Sequence, residues 1–212
     1  MKPKNRDQWL QAGASQFSKK PLEYSEYLKI PKEEIADKNV LDYGCGNGGD
    51  AIALMSNDAI VDVCDILREN LFATRKNTEA INLKINRYIL LEHSDRIGVP
   101  DKTYDMISSN GVLHHIEYVT PVIEELWRVL KDEGYLYVML YTEFLLEHYL
   151  DKICDWGGNW NHLFGTLTDG CDYTTFYTPD KVINTFKGFQ LIEYALFFNN
   201  YFRIYKLKKV NK

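Results

Sequence analysis

Short apolar runs alternate with amphipathic stretches along most of this chain. The runs are typical of buried strands, and the stretches between them repeat apolar residues at helical spacing. Strands are predicted over residues 39–43, 60–64, 84–90, 104–109 and 135–141. Helices are predicted over 48–56 and 67–80, and a third begins with Thr120 as N-cap and Pro121 as first helical residue. Repeated strand–helix units favour a parallel sheet with helices on both faces.

The pattern resumes after residue 177 and then changes. Thr178 is the expected cap of a helix that opens at Pro179, and Gly188 is expected to end it. Strands are predicted over 189–196 and 201–208, and the short turn between them predicts an antiparallel hairpin. The fold class is therefore predicted to be α/β. We expect a Rossmann-like, doubly wound, seven-stranded sheet that is mostly parallel and carries an antiparallel C-terminal hairpin.

The chain is predicted to form a single domain spanning residues 1–212, since its length fits one core with additions. Residues 1–38 read as an N-terminal arm ahead of the core at 39–141. Residues 142–177 are rich in aromatics and glycine and are too long for an ordinary connection, so they are predicted to be an inserted lid. Residues 178–212 supply the C-terminal helix and hairpin.

A glycine-rich turn follows the first strand directly. Glycines at 44, 46, 48 and 49 lie between that strand and the next helix. Such a turn lets backbone N–H groups and a helix N-terminus face a ligand, because glycine adopts positive φ and has no Cβ. Asp65 ends the next strand about 20 residues later, where a βαβ unit brings a carboxylate onto a ribose diol. The layout predicts a nucleoside cofactor.

The glycine spacing fits two cofactor classes. Gly44, Gly46 and Gly49 match the dinucleotide pattern G-x-G-x-x-G. Asp42, Gly44, Gly46 and Gly48 match acidic-x-G-x-G-x-G instead, which resembles the first motif of class I S-adenosylmethionine-dependent methyltransferases. A carboxylate at Asp42 would crowd a pyrophosphate, whereas it can attract a cationic cofactor or orient the glycine loop.

Two later segments extend the resemblance to the methyltransferases. Residues 100–116 resemble the fourth-strand region of small-molecule, methyltransferase type 11-like enzymes, and residues 127–134 resemble the signature before their fifth strand. The likeness covers 40–141 strongly and 178–208 loosely. It implies S-adenosyl-L-methionine as cofactor and transfer of a methyl group to an oxygen or nitrogen of a small-molecule acceptor. One departure is His93, where the family commonly has an Asp that contacts adenine.

The resemblance also implies which residues hold the cofactor. The backbone from Gly44 to Gly48 would line the methionine and ribose portions, Asp65 would accept the ribose hydroxyls, and Asn110 would face the methionine portion. Adenine would pack on one apolar side chain and bond to the loop after the third strand. The full predicted set is Asp42, Gly44, Cys45, Gly46, Gly48, Asp65, Ile66, His93, Ser94, Asp95 and Asn110.

Methyl transfer to a hydroxyl or amine calls for a base, and histidine suits that role near neutral pH. His115 follows the fourth strand on the cofactor side and is the predicted base, with His114 as the second candidate. Aromatic side chains that could stack on the acceptor or face the sulfonium, or simply pack, are Trp9, Tyr141, Tyr173 and Tyr177.

Composition limits the classes of binding partner that are expected. A formal charge of −5 argues against binding that neutralises many phosphates, so no nucleic-acid partner is expected. No apolar run approaches the roughly 18 residues of a membrane span and no secretory signal is visible, so no membrane partner is expected. The four cysteines lack metal-ligand spacing, and we predict no metal, free thiols and a cytoplasmic location. The chain is expected to act as a monomer or homodimer.

Other readings stay open at this point. A nicotinamide oxidoreductase has the dinucleotide glycine spacing in its favour. A protein or nucleic-acid methyltransferase is a second alternative, although Ser109-Asn110-Gly111 stands where base amino-methylating enzymes carry Asn/Asp-Pro-Pro-aromatic. A protein that binds the cofactor without catalysis is a third.

Overall fold

Seven strands, six α-helices and one 3-10 helix lie in the part of the chain that the structure describes. The structure is a computed structural model that describes residues 30–152, 173–197 and 199–211. In chain order the elements are α1 (Lys32–Ile35), β1 (Asn39–Tyr43), α2 (Gly49–Met55), β2 (Ile60–Asp65), α3 (Arg68–Glu79), β3 (Arg87–Leu90), β4 (Tyr104–Asn110), the 3-10 helix (Leu113–His115), α4 (Val119–Val129), β5 (Leu130–Tyr141), α5 (Glu143–Lys152), α6 (Pro179–Thr185), β6 (Phe189–Phe197) and β7 (Asn199–Lys209).

The strands form one sheet in the order β3-β2-β1-β4-β5-β7-β6. Strands β1 to β5 pair in parallel, and β7 runs antiparallel to both β5 and β6. The predicted α/β class, with a mostly parallel sheet and an antiparallel C-terminal hairpin, is confirmed. The chain moves from β1 outward to β3 and then returns to place β4 on the other side of β1, so a crevice is expected outside the carboxyl ends of β1 and β4.

Apolar side chains from alternate strand positions form a core on each face of the sheet, as the period of a strand requires. Val40 packs in the core that contains Leu54 of α2. Its neighbour Leu41 packs in the opposite core, with Leu126 of α4 and Phe186 of α6. Helices therefore cover both faces, as predicted.

Helix α4 begins earlier than the capping signal predicted. Its first residue is Val119, its N-cap is Tyr118 without a side-chain cap bond, and Thr120 lies inside the helix, so the predicted cap is wrong. Val119 is buried with the next apolar turn of the helix, which includes Val122. Burial of this extra residue outweighs a cap, which is worth about 1 kcal/mol.

Strand β5 also begins earlier than predicted, at Leu130, and its pairing with β4 is irregular between Tyr104 and Met106. Gly134 lies at this irregularity, where a Cβ would stand 2.9 Å from the carbonyl oxygen of Asp105. The close approach of two backbones explains the glycine there. Strand β3 is shorter than predicted because its regular pairing with β2 starts only at Arg87.

The predicted start of α6 is confirmed. The Thr178 hydroxyl accepts a hydrogen bond from the backbone N–H of Lys181 at 3.2 Å, and Pro179 is the first helical residue. Gly188 closes the connection to β6 with φ of +85°. Within the predicted lid the structure describes residues 142–152 and 173–177. Trp9 and most of the predicted arm lie outside the described residues. Among the helices of the described residues, none is long and apolar enough to cross a membrane.

Candidate functional site

A cavity of about 830 Å³ opens at the carboxyl ends of β1, β2 and β4. Ten of the residues predicted from sequence to bind cofactor, base or acceptor meet in its lining: Gly44, Gly46, Asp65, Ile66, His93, Ser94, Asp95, Asn110, His115 and Tyr173. They come from five separate stretches of the chain, which the parallel sheet brings to one edge.

The glycine loop carries positive φ at Gly44, Gly46 and Gly48, at +78°, +53° and +88°. A Cβ at Gly44 would overlap the side chain of Val112, and one at Gly48 would stand 2.9 Å from Thr74 Cγ2. A Cβ at Gly46 would meet nothing within 4 Å. The loop is therefore packed closely at both ends, while its middle borders open space at the cavity.

Several N–H groups of this loop bond to the protein itself. The carbonyl oxygen of Cys64 accepts from Gly44 N at 2.9 Å and from Cys45 N at 3.1 Å. Asp65 Oδ2 accepts from Gly46 N at 3.1 Å, and Cys45 O accepts from Gly48 N at 2.8 Å. The expectation that these N–H groups face a ligand is wrong for these four residues, because β2 and the turn itself take up the donors.

Asp65 joins the glycine loop to the start of α3. Besides its bond from Gly46, it accepts from Leu67 N at 2.8 Å and from Asn70 Nδ2 at 3.0 Å. Leu67 and Asn70 also line the cavity, and the sequence reasoning missed both. The available signal was position, since Asn70 lies about one helical turn after Asp65.

Tyr43 connects the end of β1 to the loop after β3. Its hydroxyl donates a 2.5 Å hydrogen bond to the carbonyl oxygen of Ser94, and the residue is 2% exposed. Burial raises the pKa of Tyr43, so the hydroxyl stays protonated and can donate. The bond fixes His93, Ser94 and Asp95 against the cavity, where the family likeness expects adenine. Sequence reasoning missed Tyr43 because it reads as an ordinary strand residue.

Two carboxylates lie behind the glycine loop. Asp42 is 1% exposed, and no group in the described part of the chain forms a hydrogen bond with its Oδ2. Desolvation raises the pKa of Asp42 well above its usual value, and the charges of Asp50 and Asp65 add to the shift. Desolvation also raises the pKa of Asp50, to about 6. Within the described ranges neither Asp42 nor Asp50 has a Lys or Arg partner, and a bound cation would favour the ionised form of both carboxyl groups.

Cys45 and Gly48 belong to the glycine loop but do not line the cavity, and both lie against Thr74 of α3. The Cys45 Sγ lies 3.4 Å from Thr74 Oγ1, and burial raises the pKa of the thiol, so it stays protonated. Cys45 and Cys64 are both free and buried.

The two adjacent histidines occupy different environments. His115 lines the cavity, and its Nδ1 lies 3.1 Å from the carbonyl oxygen of Tyr173. A carbonyl oxygen only accepts, so this bond places a proton on Nδ1, and in the neutral ring Nε2 is then the acceptor. His114 is fully buried, and neither ring nitrogen has a hydrogen-bond partner among the described residues. Burial lowers the pKa of His114 well below its usual value, so its ring is neutral.

The remaining aromatic candidates pack beneath the cavity. Tyr141 stacks on His114 with ring centroids 3.7 Å apart, and Tyr177 is 2% exposed. Neither these tyrosines nor His114 line the cavity, so of the predicted acceptor contacts in the described chain only Tyr173 does. Backbone bonds from Thr175 N to His114 O and from Tyr177 N to Tyr141 O, both 2.9 Å, hold this segment in place.

The charged groups of the lining are acidic. Carboxylates come from Asp65, Asp95 and Glu117, and the lining contributed by the described residues contains no Lys or Arg. The same part of the chain holds no cluster of three or more His, Cys, Asp and Glu side chains fit to bind a metal.

The fold and site define an α/β domain with a nucleoside-sized cavity at the switch point of its sheet. Residues 41–138 match the family model described as "Methyltransferase domain". This match covers 98 of the 212 residues, and together with the strand order it supports the sequence-based prediction of a class I S-adenosylmethionine-dependent methyltransferase.

Known proteins resemble the chain over this region. It is 30% identical over 109 residues to a ubiquinone biosynthesis O-methyltransferase of Rickettsia typhi, covering 51% of this chain and 43% of that enzyme. It is 31% identical over 104 residues to the 27-O-demethylrifamycin SV methyltransferase of Amycolatopsis mediterranei, covering 48% and 38%. The matches thus span less than half the length of either enzyme. The crystal structure of a SAM-dependent methyltransferase from Aquifex aeolicus shares the fold, with TM-score 0.64 and 18% identity over 93% of this chain and 98% of that one.

Proposed function

We propose that this protein transfers a methyl group from S-adenosylmethionine to an oxygen or nitrogen of a small-molecule acceptor. The observation that carries the proposal is the chemistry of the glycine loop. Four of its N–H groups bond within the protein, and two carboxylates without cationic partners among the described residues lie beneath it. A pyrophosphate needs free N–H donors, whereas a sulfonium with an ammonium group is favoured by negative charge.

The cavity has a suitable volume for such a cofactor, and it leaves free space beside the glycine loop. Its volume of about 830 Å³ lies within the roughly 300–1,000 Å³ range of ligand pockets. The space beside Gly46 is free of side chains, so a ligand can approach the backbone there. The cofactor supplies an activated methyl group when bound. The protein contributes alignment and water exclusion, which together can account for several kcal/mol of the barrier.

His115 is the proposed general base. Its Nδ1–H is held by the Tyr173 carbonyl oxygen, so Nε2 is free to take the proton of an acceptor hydroxyl or amine. That proton would move to His115 Nε2, and the bound cofactor would supply the methyl group that the acceptor atom takes in its place. His114 is buried outside the cavity and is proposed to support the position of the 3-10 helix.

The charge of the lining supports an acceptor that is neutral or cationic. Three carboxylates and no Lys or Arg line the described part of the cavity, so a phosphate or carboxylate on the acceptor would be repelled. Residues 153–172 carry three Asp and no Lys or Arg in sequence. The similarity to a ubiquinone biosynthesis O-methyltransferase supports oxygen as the methylated atom. The same charges argue against a nucleic-acid substrate.

Calorimetry with S-adenosylhomocysteine and, separately, with NAD tests the cofactor assignment. We expect binding of S-adenosylhomocysteine and none of NAD, and the reverse pattern would overturn the proposal. Turnover is then followed as formation of S-adenosylhomocysteine with acceptors that share a phenol and differ in charge: tyramine, 4-ethylphenol and 4-hydroxyphenylacetate. Faster turnover of the first two than of the anion is expected.

A further inference from the structure

A hydrogen bond links α2 to the end of β4 at the floor of the cavity. Asn110 Nδ2 donates to Asp50 Oδ2 at 2.8 Å, although the two residues lie 60 positions apart. Asn110 lines the cavity, whereas Asp50 does not. Asp50 therefore acts on any ligand through Asn110.

This bond sets which end of the Asn110 amide meets Asp50. An ionised carboxylate only accepts hydrogen bonds, so the NH2 end must face it and Oδ1 must face away. The Oδ1 atom is buried and has no partner in the described chain. A buried acceptor without a donor is costly, and such atoms in folded proteins are usually satisfied by a partner.

The missing donor is expected to be positively charged. Asp42 Oδ2 is a second buried acceptor without a partner, and it lies close enough to Asp50 for their charges to interact. No Lys or Arg from the described residues reaches either carboxylate. An ammonium group offers both the hydrogen-bond donor and the positive charge that this region lacks.

We propose that Asp50 is a positioning residue that orients the Asn110 amide so that Oδ1 accepts a hydrogen bond from the α-ammonium of the cofactor. The proposal rests on the function proposed above and adds the group that discriminates the amino-acid portion of the cofactor. Removing the carboxylate would let the amide turn, and its NH2 end would then repel the ammonium.

Two ligands that share the nucleoside portion test this. S-adenosylhomocysteine carries the α-ammonium, and 5′-methylthioadenosine lacks the whole amino-acid portion. We expect Asp50→Asn to weaken S-adenosylhomocysteine by about tenfold or more in calorimetry, because a charge-assisted bond is lost. Affinity for methylthioadenosine should stay within about twofold. Asp58→Asn is the matched control, since it removes an exposed carboxylate paired with Lys32 and should change neither affinity.

Asn110→Ala, alone and combined with Asp50→Asn, shows whether Asp50 acts through Asn110. The double variant should lose no more affinity for S-adenosylhomocysteine than Asn110→Ala alone, and this comparison does not require the single variant Asp50→Asn to fold. Equal weakening of both ligands by Asp50→Asn, or of neither, would overturn this inference and leave the proposed function standing. A wild-type protein that binds neither ligand would refute the proposed function and the inference with it.

Discussion

The ring centroids of His114 and His115 lie 4.3 Å apart, yet the two rings lie in different chemical environments. His115 faces the cavity with its Nδ1 beside a carbonyl oxygen, while His114 is buried and no described residue forms a hydrogen bond with either of its nitrogens. Adjacent positions in sequence thus divide between a ring that borders the cavity and a ring that burial keeps neutral. The 3-10 helix explains the division, because successive side chains in it point in different directions.

His115→Gln is expected to lower kcat by about 10²–10⁴-fold, the usual contribution of a general base. The glutamine amide can still donate to the Tyr173 carbonyl oxygen, so the site should keep its shape. Affinity for S-adenosylhomocysteine should change by less than about twofold. An unchanged rate constant for methyl transfer under single-turnover conditions would show that His115 is not the base.

His114→Phe is the matched variant at the neighbouring position. The phenyl ring retains the stacking on Tyr141 and replaces two nitrogens that have no partners within the described ranges, so stability should be equal or higher. We expect kcat to be within about threefold of wild type. A loss as large as that of His115→Gln would show that the proton passes through His114.

Stability should fall in acid because of His114. Its pKa in the folded protein is lowered by burial, while an unfolded histidine titrates near about 6.5, so the unfolded state binds the extra proton. The free energy of unfolding should therefore fall as the pH drops below about 6.5, by up to about 1.36 kcal/mol per pH unit. The raised pKa of Asp50 acts in the opposite direction between about 6 and 4.

Subtracting the denaturation curves of His114→Phe from those of wild type isolates the histidine contribution, because both proteins contain Asp50. The difference should grow as the solution is acidified from pH 7. A difference that is constant with pH would mean that the folded protein accommodates protonated His114.

Gly44→Ala and Gly46→Ala should separate folding from binding. Both positions have positive φ, which costs an alanine roughly 1–2 kcal/mol. Gly44→Ala also overlaps Val112, so its total cost is expected to be roughly 2–5 kcal/mol. Gly46→Ala meets no protein atom, but its methyl enters the space beside the loop, so S-adenosylhomocysteine should bind weakly to a folded protein. Thermal melts and calorimetry give the two quantities, and identical behaviour of the variants would contradict the geometry.

Tyr43→Phe removes the hydroxyl that holds the Ser94 carbonyl oxygen. We expect a loss of about 1 kcal/mol of stability, the net value of one hydrogen bond. We also expect affinity for S-adenosylhomocysteine to fall about fivefold, since the adenine-side loop loses an anchor. Tyr118→Phe is the control, because Tyr118 lines the same cavity with a side chain that is 77% exposed. If both variants bind alike, the bond from Tyr43 has no part in shaping the cofactor site.

Local features of the fold were readable from the amino-acid order. The alternation of apolar residues identified the strands, and Thr178 with Pro179 identified the start of α6, because a cap and a first turn depend on neighbours within a few residues. The glycine pattern and Asp65 located the cavity for a related reason: a βαβ unit has a nearly fixed geometry, so sequence spacing translates into position.

Contacts between distant segments needed the folded chain. The pairing of Asp50 with Asn110 and the bond from Tyr43 to Ser94 join groups 60 and 51 positions apart. The burial of His114 likewise depends on how the elements pack, and periodicity carries no information about any of the three. The early start of α4 belongs here too, since Val119 is helical because the core covers it. Local order specifies which elements form, but burial and partner choice depend on how those elements pack, and packing is what leaves His115 open to the cavity and His114 closed to it.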